Sequence, residues 1–410
     1  MISFDPTENS VQARDFYRRI ALERMRPLSR RYDEEEHALP TEWVEFFWNE
    51  GRKGAPGNIA GATDGFVQVC IQAEELCFGD AGLYLRMPTA ALGGSAVAAA
   101  GTPEQKDRFL RPFRESPHPI WGAMAITEAS AGSDTAAIQT TARFDAERDE
   151  WVLNGTKIFC TAGEGASQIE GGFVVVWATV DKTLGRGGIK SFVVPARTPG
   201  MKLVGLEKKL GIRASDTATL VFEDCRVPAA NLLGGKEKSE RKSEPGRSGD
   251  KGFKGAMATF DASRPIVAAM AVGVGRAALD FLVEELERQG LKIYYDSAPR
   301  AQTALERDVL DMQAELQAAR LLTWRAASMM NRGKPNSLEA SMAKAKAGLV
   351  VTKITQKAVE LLGPPGYSQK LLVEKWMRDA KINDIYEGTQ QINQLIVARR
   401  ILDYPSSVLR

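Results

Sequence analysis

Apolar residues recur at helical spacing in the first part of the chain. One face of a predicted helix carries four of them: Ala13, Phe16, Tyr17 and Ile20. Farther on, Thr102-Pro103-Glu104-Gln105 has the composition of a helix start, with a hydroxyl cap, an early proline and a glutamine that can reach back to the cap. These patterns predict an N-terminal helical domain over residues 1–119.

The pattern changes to short runs rich in β-branched residues between residues 121 and 232. Such runs occupy 173–180, 191–195 and 217–222, and turns containing Gly or Pro separate them. Asn154-Gly155, which follows an apolar run, is typical of a hairpin turn. We predict a central β domain, a barrel or sandwich, over residues 120–233.

Helical spacing returns after residue 253. Three apolar stripes are evident, at Leu305, Val309, Met312 and Leu316, at Leu338, Met342, Ala345 and Leu349, and at Ile392, Leu395, Ile396 and Leu402. They predict a C-terminal four-helix bundle over residues 253–410. Residues 234–252 contain no aliphatic or aromatic residue and ten charged ones, a composition that predicts a flexible charged loop. The predicted fold class is therefore a multidomain α+β protein, with a helical, a β and a second helical domain.

Composition narrows the classes of function. Fifty-four Lys and Arg against 52 Asp and Glu give a net charge of +2, which argues against a nucleic-acid binder or a protein held on anionic membranes. The apolar run at 266–274 is shorter than a membrane span, and the first residues lack the pattern of a secretory signal. We therefore expect a cytoplasmic protein, or a mitochondrial matrix protein if the source is eukaryotic.

Histidines and cysteines are scarce and poorly placed for catalysis. His37 lies in an acidic run, His118 lies between prolines, and the four cysteines have no Cys-x-x-Cys spacing. This argues against a Ser-His-Asp triad and against a metal site. The chemistry is then expected to rest on carboxylates, small polar residues or a cofactor.

Two segments of the predicted β domain could contact a planar or phosphorylated ligand. Residues 124–134 combine small residues with the hydroxyls of Thr127 and Ser133, although a simple turn between domains has the same composition. In the second segment the ring of Phe159 is followed by the hydroxyl of Thr161, a pairing that suits a flavin, although most strand aromatics belong to a core.

Two further segments place charges at predicted helix starts. Glu387 precedes Thr389, a good N-cap, so the helix dipole would lower the pKa of Glu387 while burial beside an apolar ligand would raise it. Asp261, Ser263 and Arg264 open a long apolar helix. Arg264 could bind an anion or simply pair with Asp261.

These segments, in this order, resemble the acyl-CoA dehydrogenase family of flavoproteins. The likeness covers nearly the whole chain and is most specific at residues 126–134, at 210–217 continuing to 226–228, and at 378–399. The resemblance implies an FAD cofactor between the β domain and the C-terminal bundle. It also implies an acyl-CoA substrate, electron-transferring flavoprotein as a partner, and a homo-oligomer, dimer or tetramer, with no metal.

The resemblance further implies roles for individual residues. Glu387 would be the catalytic base that removes the α-proton of the thioester while a β-hydride passes to the flavin, giving a trans-2-enoyl-CoA. Ten positions match the family's cofactor contacts: Met124, Ile126, Thr127, Gly132, Ser133, Phe159, Thr161, Arg288, Thr389 and Gln391. Four match its substrate contacts: Ser133, Asp261, Arg264 and Gly388. Another branch of the family has its base at the position of Ser263, and serine cannot serve there.

The chain departs from the family pattern at two places that contact FAD. An Arg-x-x-Phe-Gly run aligns either from Arg288 or, in another register, as Lys292, Tyr295 and Asp296. A Gly-Gly-Asn-Gly loop reads Gly363-Pro364-Pro365-Gly366, and the two prolines remove two N–H donors.

Substrate choice and reaction class have alternatives. Tyr84, Leu85, Arg86 and Met87 fall near the acyl pocket of the family, so Arg86 either meets a polar acyl terminus or faces solvent. The alternatives to a dehydrogenase are a flavin monooxygenase or oxidase on the same fold, and a flavin-bearing nucleic-acid binder, which would need a basic stripe.

Overall fold

The computed structural model describes residues 7–52, 64–235 and 251–405 of the chain. Its N-terminal part is helical, as predicted. The α-helices there are α1 (Glu8–Ile20), α2 (Ser29–Glu34), α3 (Thr41–Phe46), α4 (Gly65–Gly79), α5 (Ala81–Leu85), α6 (Ala91–Ala100), α7 (Pro103–Leu110) and α8 (Pro112–Glu115). Helix α1 buries Ala13, Tyr17 and Ile20 against its neighbours. The capping box at Thr102 and Gln105 forms as predicted and starts α7.

A single curled sheet of seven strands forms the middle of the chain. Its strands are β1 (Gly122–Ala125), β2 (Thr141–Asp145), β3 (Glu150–Thr161), β4 (Phe173–Thr179), β5 (Ile189–Pro195), β6 (Met201–Leu206) and β7 (Thr217–Pro228). The order is β1-β4-β2-β3-β7-β6, with β5 added beside β4. The short helix α9 (Gly163–Gln168) follows β3. Apolar residues fill both faces of the sheet, and β4 is buried along its whole length.

The hairpin turn predicted at Asn154-Gly155 is wrong, because both residues lie inside β3. They form a bulge at which the pairing with β7 shifts register. The Asn154 side chain makes a hydrogen bond to the neighbouring strand β7: its Oδ1 accepts from the Asp224 N–H at 2.9 Å. Gly155 has a φ of +150°, and a Cβ there would lie 2.4 Å from Thr140 Oγ1. Close packing of β2 and β3 therefore explains the glycine, and the turn between these strands comes earlier, between Asp145 and Glu150.

Long helices return after the sheet. They are α10 (Lys251–Arg288), α11 (Ala304–Asn331) and α12 (Ser337–Leu362), followed by α13 (Pro364–Tyr367), α14 (Val373–Ala380) and α15 (Gln390–Ile401). The fold class is thus confirmed, with helical parts on either side of the sheet. Helix α10 is the centre of the largest core and packs on α4, α11 and α12. Its Gly273 lies so close to α4 that a Cβ would be 2.2 Å from the Glu74 carbonyl.

One segment of α10 is long and apolar enough to cross a membrane. It runs from Thr259 to Arg288, and 72% of its most apolar window is buried inside the protein. That burial is typical of the core helix of a soluble protein.

Two of the three predicted apolar stripes do not form the buried face of their helix. The stripe on α11 is correct, with Val309, Met312 and Leu316 buried. On α12 the buried face carries small residues such as Ala343 and Ala347, because this helix lies between others at close range. On α15 Leu395 and Leu402 are 50% and 58% exposed, whereas Ile392 and Ile396 of the same stripe are half-buried.

The predicted charged loop over 234–252 falls mainly on residues 236–250, which lie outside the described part of the chain. Its last two residues, 251 and 252, belong to α10.

Candidate active site

The first predicted segment leaves β1 and lies against β3. The Ile158 N–H donates to the Thr127 carbonyl at 2.9 Å, and a turn between Glu128 and Ala131 closes on itself through two backbone hydrogen bonds. Met124 lies on β1, where its carbonyl accepts from the Cys160 Sγ at 3.4 Å. The two segments that sequence reasoning connected with a flavin are therefore neighbours.

A buried ion pair ties these two segments together. Lys157 Nζ donates to the Ile126 carbonyl at 3.0 Å and to Glu128 Oε1 at 2.7 Å. Glu128 also accepts from the Gln139 N–H and from the N–H and hydroxyl of Thr140. Burial raises the pKa of Glu128, but these hydrogen bonds outweigh it and hold the pKa below its usual range. The positions of Lys157 and Glu128 along the sequence, 29 residues apart, give no indication of this pair.

Phe159 is presented to solvent by an uncommon backbone conformation. Its φ is +57°, a left-handed value rare for an aromatic residue, and the side chain is 58% exposed. The pairing of β3 with β7 is irregular at the same point. Thr161 is half-buried two residues on, and Gly132 borders open space. An exposed ring followed two residues later by a hydroxyl fits a planar flavin, whereas the prediction of a core aromatic is wrong.

The segment between β6 and β7 connects this region with the C-terminal helices. Asp216 Oδ2 accepts from the Glu164 N–H at 2.7 Å, directly after β3. Asp379 Oδ1 on α14 accepts from the Ile212 N–H at 2.5 Å. Gly211 packs on the backbone of Arg378, where a Cβ would be 2.4 Å from the carbonyl carbon. These contacts fix α14, and the turn that follows it, relative to the end of β3.

Glu387 lies in the turn before α15, with one carboxylate oxygen held and the other without a partner. The Ser263 hydroxyl donates to Glu387 Oε2 at 2.7 Å. Glu387 Oε1 is buried and accepts no hydrogen bond from any described residue. Glu387 also has a φ of +59°. A strained residue with an unpartnered buried oxygen is the usual signature of a functional position.

Burial dominates the electrostatics of this carboxylate. It raises the pKa of Glu387 above its ordinary value, although the Ser263 hydrogen bond and the charges of Arg264 and Lys344 act in the opposite direction. Burial, one of the two effects weighed from the sequence, therefore sets the direction in which the pKa of Glu387 moves. A carboxylate with a raised pKa is suited to removing a proton near neutral pH.

Buried polar groups from three helices hold the backbone around Glu387. Arg264 Nε donates to the Glu387 carbonyl at 3.4 Å. The Gly388 carbonyl accepts from Lys344 Nζ at 2.7 Å and from Asn393 Nδ2 at 2.9 Å. Arg264 also pairs with Asp261 at 3.1 Å. This confirms the ion pair considered from the sequence and leaves anion binding by Arg264 as a prediction.

The remaining predicted site residues differ in their exposure and in their partners. Thr389 is the N-cap of α15, and its hydroxyl accepts from the Ile392 N–H at 3.3 Å. Ser133 and Gln391 are exposed. Arg288 lies at the end of α10, 61% exposed and paired with Glu285 at 2.6 Å. Its contacts within the described residues connect it with its own helix.

Arg86 is buried and paired with two carboxylates. Its side chain is 4% exposed and pairs with Asp216 at 2.5 Å and with Glu164 at 2.6 Å. The solvent-facing alternative from sequence is therefore wrong, and contact with a polar acyl terminus stays a prediction. Three distant segments bring these charges together, and sequence spacing contains no signal of that.

A metal site is not evident in the described ranges. No group of three or more His, Cys, Asp and Glu there is placed to hold an ion.

Comparison with known proteins adds family models for each part of the chain. The N-terminal, middle and C-terminal domain models of acyl-CoA dehydrogenases match residues 7–116, 123–225 and 250–402. The chain is 36% identical over 405 residues to the mitochondrial short-chain specific acyl-CoA dehydrogenase of Rattus norvegicus. That alignment covers 98% of this chain and 92% of the relative.

Solved structures agree over the same length. Butyryl-CoA dehydrogenase from Megasphaera elsdenii superimposes with a TM-score of 0.82 at 31% identity, covering 98% of this chain and all of that one. A chain from structural work on the electron transferring flavoprotein of Acidaminococcus fermentans gives a TM-score of 0.83 at 34% identity, with the same coverage.

Proposed function

The chain belongs to the acyl-CoA dehydrogenase family, and from this premise we propose that it oxidises a short-chain acyl-CoA to the trans-2-enoyl-CoA. A flavin is the cofactor of this family, and FAD is the form that we propose here. Its binding residues would be Met124, Ile126, Thr127, Gly132, Ser133, Phe159 and Thr161 in the β domain, with Arg288, Thr389 and Gln391 from the C-terminal part. The short acyl chain is proposed because the rat and Megasphaera relatives act on short chains by name.

Glu387 is the proposed base. Its Oε1 has no hydrogen bond from the described residues, so this oxygen would take the α-proton. A bound flavin would supply the acceptor for the β-hydride, and electron-transferring flavoprotein would take up the electrons. Ser263 holds Oε2 and so orients the carboxylate, while Ser133, Asp261, Arg264 and the backbone of Gly388 would bind the CoA thioester.

The observation that carries the proposal is the state of the Glu387 carboxylate. One oxygen is fixed and the other is buried without a partner, on a residue whose backbone is in the left-handed region. A carboxylate that merely stabilised the helix dipole of α15 would keep both oxygens in water or on N–H groups. An oriented carboxylate with a raised pKa is instead prepared for proton transfer.

The test is Glu387→Gln, which keeps the shape and removes the base. We expect FAD content and binding of butyryl-CoA to stay nearly normal, since other residues hold both. Anaerobic flavin reduction by butyryl-CoA should fall by at least about 10²-fold in stopped-flow measurements. Glu387→Asp, which withdraws the carboxylate by about 1 Å, should give an intermediate rate.

Glu223→Gln is the matched control, because Glu223 is an exposed glutamate on β7 that pairs with Lys202, and its loss should leave the rate unchanged. A Glu387→Gln variant that reduced its flavin within about tenfold of the wild-type rate would refute the assignment.

Assembly and location follow as further proposals. The exposed apolar residues of α15, Leu395, Ile401 and Leu402, support a homo-oligomer in which a second subunit covers them. We propose a cytoplasmic enzyme, or a mitochondrial matrix enzyme in a eukaryote. The monooxygenase and oxidase alternative is not favoured, since the relatives described above are dehydrogenases and Glu387 is present.

A further inference from the structure

Lys344 is a fully buried lysine beside the turn that carries Glu387. It projects from α12, is 1% exposed, and donates from Nζ to the Gly388 carbonyl at 2.7 Å. That carbonyl belongs to the residue directly after Glu387. Among the described residues, Lys344 has no other hydrogen bond and no carboxylate within ion-pair distance.

Burial of the Lys344 ammonium group without a carboxylate partner costs free energy, which indicates that its charge has a function. A buried ammonium normally has a carboxylate in direct contact, as Lys375 does with Asp80 at 2.7 Å and Asp379 at 2.5 Å. Lys344 has only a neutral carbonyl. Burial lowers the pKa of Lys344 to about 8, against the opposing effect of the nearby acids.

The charged groups that face Lys344 come from three elements. Glu387 lies in the turn, Asp384 lies in the short helix before it, and Arg264 approaches from α10. Arg264 is neutralised at close range by Asp261, and Asp384 by Lys381 at 2.9 Å. Glu387 is therefore the acid in this group that lacks a direct cationic partner, as Lys344 lacks a direct acidic one.

We infer that Lys344 is a positioning residue for the reaction at Glu387: its ammonium group holds the Gly388 carbonyl, and its positive charge favours the ionised form of the Glu387 carboxylate. The inference rests on the proposed function of Glu387. The two effects can be separated, because Asn393 also holds the Gly388 carbonyl and would keep the turn in place when Lys344 is changed.

Two substitutions of Lys344 distinguish the charge from the hydrogen bond. Lys344→Gln removes the charge and keeps an N–H donor, whereas Lys344→Met removes both and keeps the apolar length of the side chain. The readout is the pH dependence of flavin reduction by butyryl-CoA in the FAD-containing enzyme. In both variants we expect the acid midpoint of this profile to move up by about half a unit or more, because an ionised Glu387 has lost a nearby positive charge.

Rates and a control complete the design. At the optimum pH, Lys344→Gln should stay within about tenfold of the wild-type rate, and Lys344→Met should be slower than Lys344→Gln. Lys346→Gln, two residues along α12, removes a lysine that pairs with Glu315 on the surface, and should leave the midpoint unchanged.

An unchanged midpoint in an FAD-containing Lys344→Gln or Lys344→Met enzyme would overturn the inference. Failure of both variants to fold would overturn it as well, because Lys344 would then serve the fold. If Glu387→Gln is slow and only the midpoint result fails, the proposed function stands. If Glu387→Gln is as fast as wild type, the proposed function itself fails.

Discussion

Two buried lysines hold the two halves of the candidate site, and they differ in their partners. Lys157 holds the Ile126 carbonyl near Phe159, and Lys344 holds the Gly388 carbonyl beside Glu387. Burial lowers the pKa of each lysine to about 8. Lys157, however, also contacts the Glu128 carboxylate at 2.7 Å, whereas Lys344 has no carboxylate in contact among the described residues.

This difference in partners means that Lys157 and Glu128 form a structural ion pair, whereas the charge of Lys344 acts on the candidate base. On the β-domain side, Lys157 and Glu128 are in direct contact, so their charges neutralise each other. On the helical side, the positive charge of Lys344 remains available to the carboxylate of Glu387. Both loops contain a non-glycine residue in the left-handed region, Phe159 or Glu387, which shows that each is held against its local preference.

The largest expected effect is on stability at the β-domain lysine. Lys157→Met should lower the free energy of unfolding by about 3–5 kcal/mol, because it leaves Glu128 buried without its cation. Lys344→Met leaves no directly paired carboxylate behind and should cost less than half as much. Urea unfolding of both variants measures the two values. The double variant Lys157→Met/Glu128→Leu should recover only part of the loss, because the Gln139 and Thr140 N–H groups then lose their acceptor. Equal losses for Lys157→Met and Lys344→Met would contradict the distinction.

An intermediate effect is expected at the hydrogen bond that orients the base. Ser263→Ala removes a donor to the Glu387 carboxylate, so the pKa of Glu387 should rise further. The acid midpoint of flavin reduction should therefore move up by about one unit, as expected for a hydrogen bond to a charged group. Thr140→Val removes a comparable hydroxyl from Glu128 at 2.6 Å and should leave that midpoint unchanged. A shift in both variants would show that the β-domain charges also reach the base.

The smallest effect concerns the stability cost of the base itself. The pKa of Glu387 is raised in the folded protein, so its ionisation opposes folding and stability is lost as the pH rises through that pKa. Glu387→Gln should therefore stabilise the protein near neutral pH, by on the order of 1 kcal/mol. The gain should disappear at acid pH, where wild-type Glu387 is protonated.

Glu128→Gln should act in the opposite direction, because the pKa of Glu128 is lowered on folding and its ionised form stabilises the protein. Thermal unfolding of both variants across the pH range compares them. Destabilisation by Glu387→Gln at neutral pH would mean that the carboxylate supports the fold.

Sequence reasoning succeeded where neighbouring residues decide the structure. The capping box at Thr102, the stripe on α11 and the N-cap at Thr389 each depend on residues within one or two helical turns. The helical, β and helical order followed from the same local patterns. The position of Glu387 before α15 could be predicted for this reason as well.

Prediction failed where distant segments meet. Asn154-Gly155 has the composition of a turn, but β7 and Thr140 make it a bulge. Glu387 is buried because α10, α12 and its own turn pack together. The Ser263 hydroxyl that donates to it is more than a hundred residues away in the sequence. A serine at position 263 cannot be the catalytic base, so the sequence gives it no role in catalysis. Its contact with Oε2 could not be derived without the packing of α10 on this turn.

The length and apolarity of α10 have a consequence for how the protein is made. Its partner α12 ends at Leu362, so about 70 further residues must be synthesised after Arg288 before the whole face against α12 can be covered. At about 5–20 residues per second this takes on the order of 4–15 seconds. During that interval the face of α10 that later packs on α12 is without its partner, in a segment with the length and hydropathy of a membrane span. We expect the nascent chain to be prone to aggregation during that interval, and prior folding of α4 against α10 to shorten it.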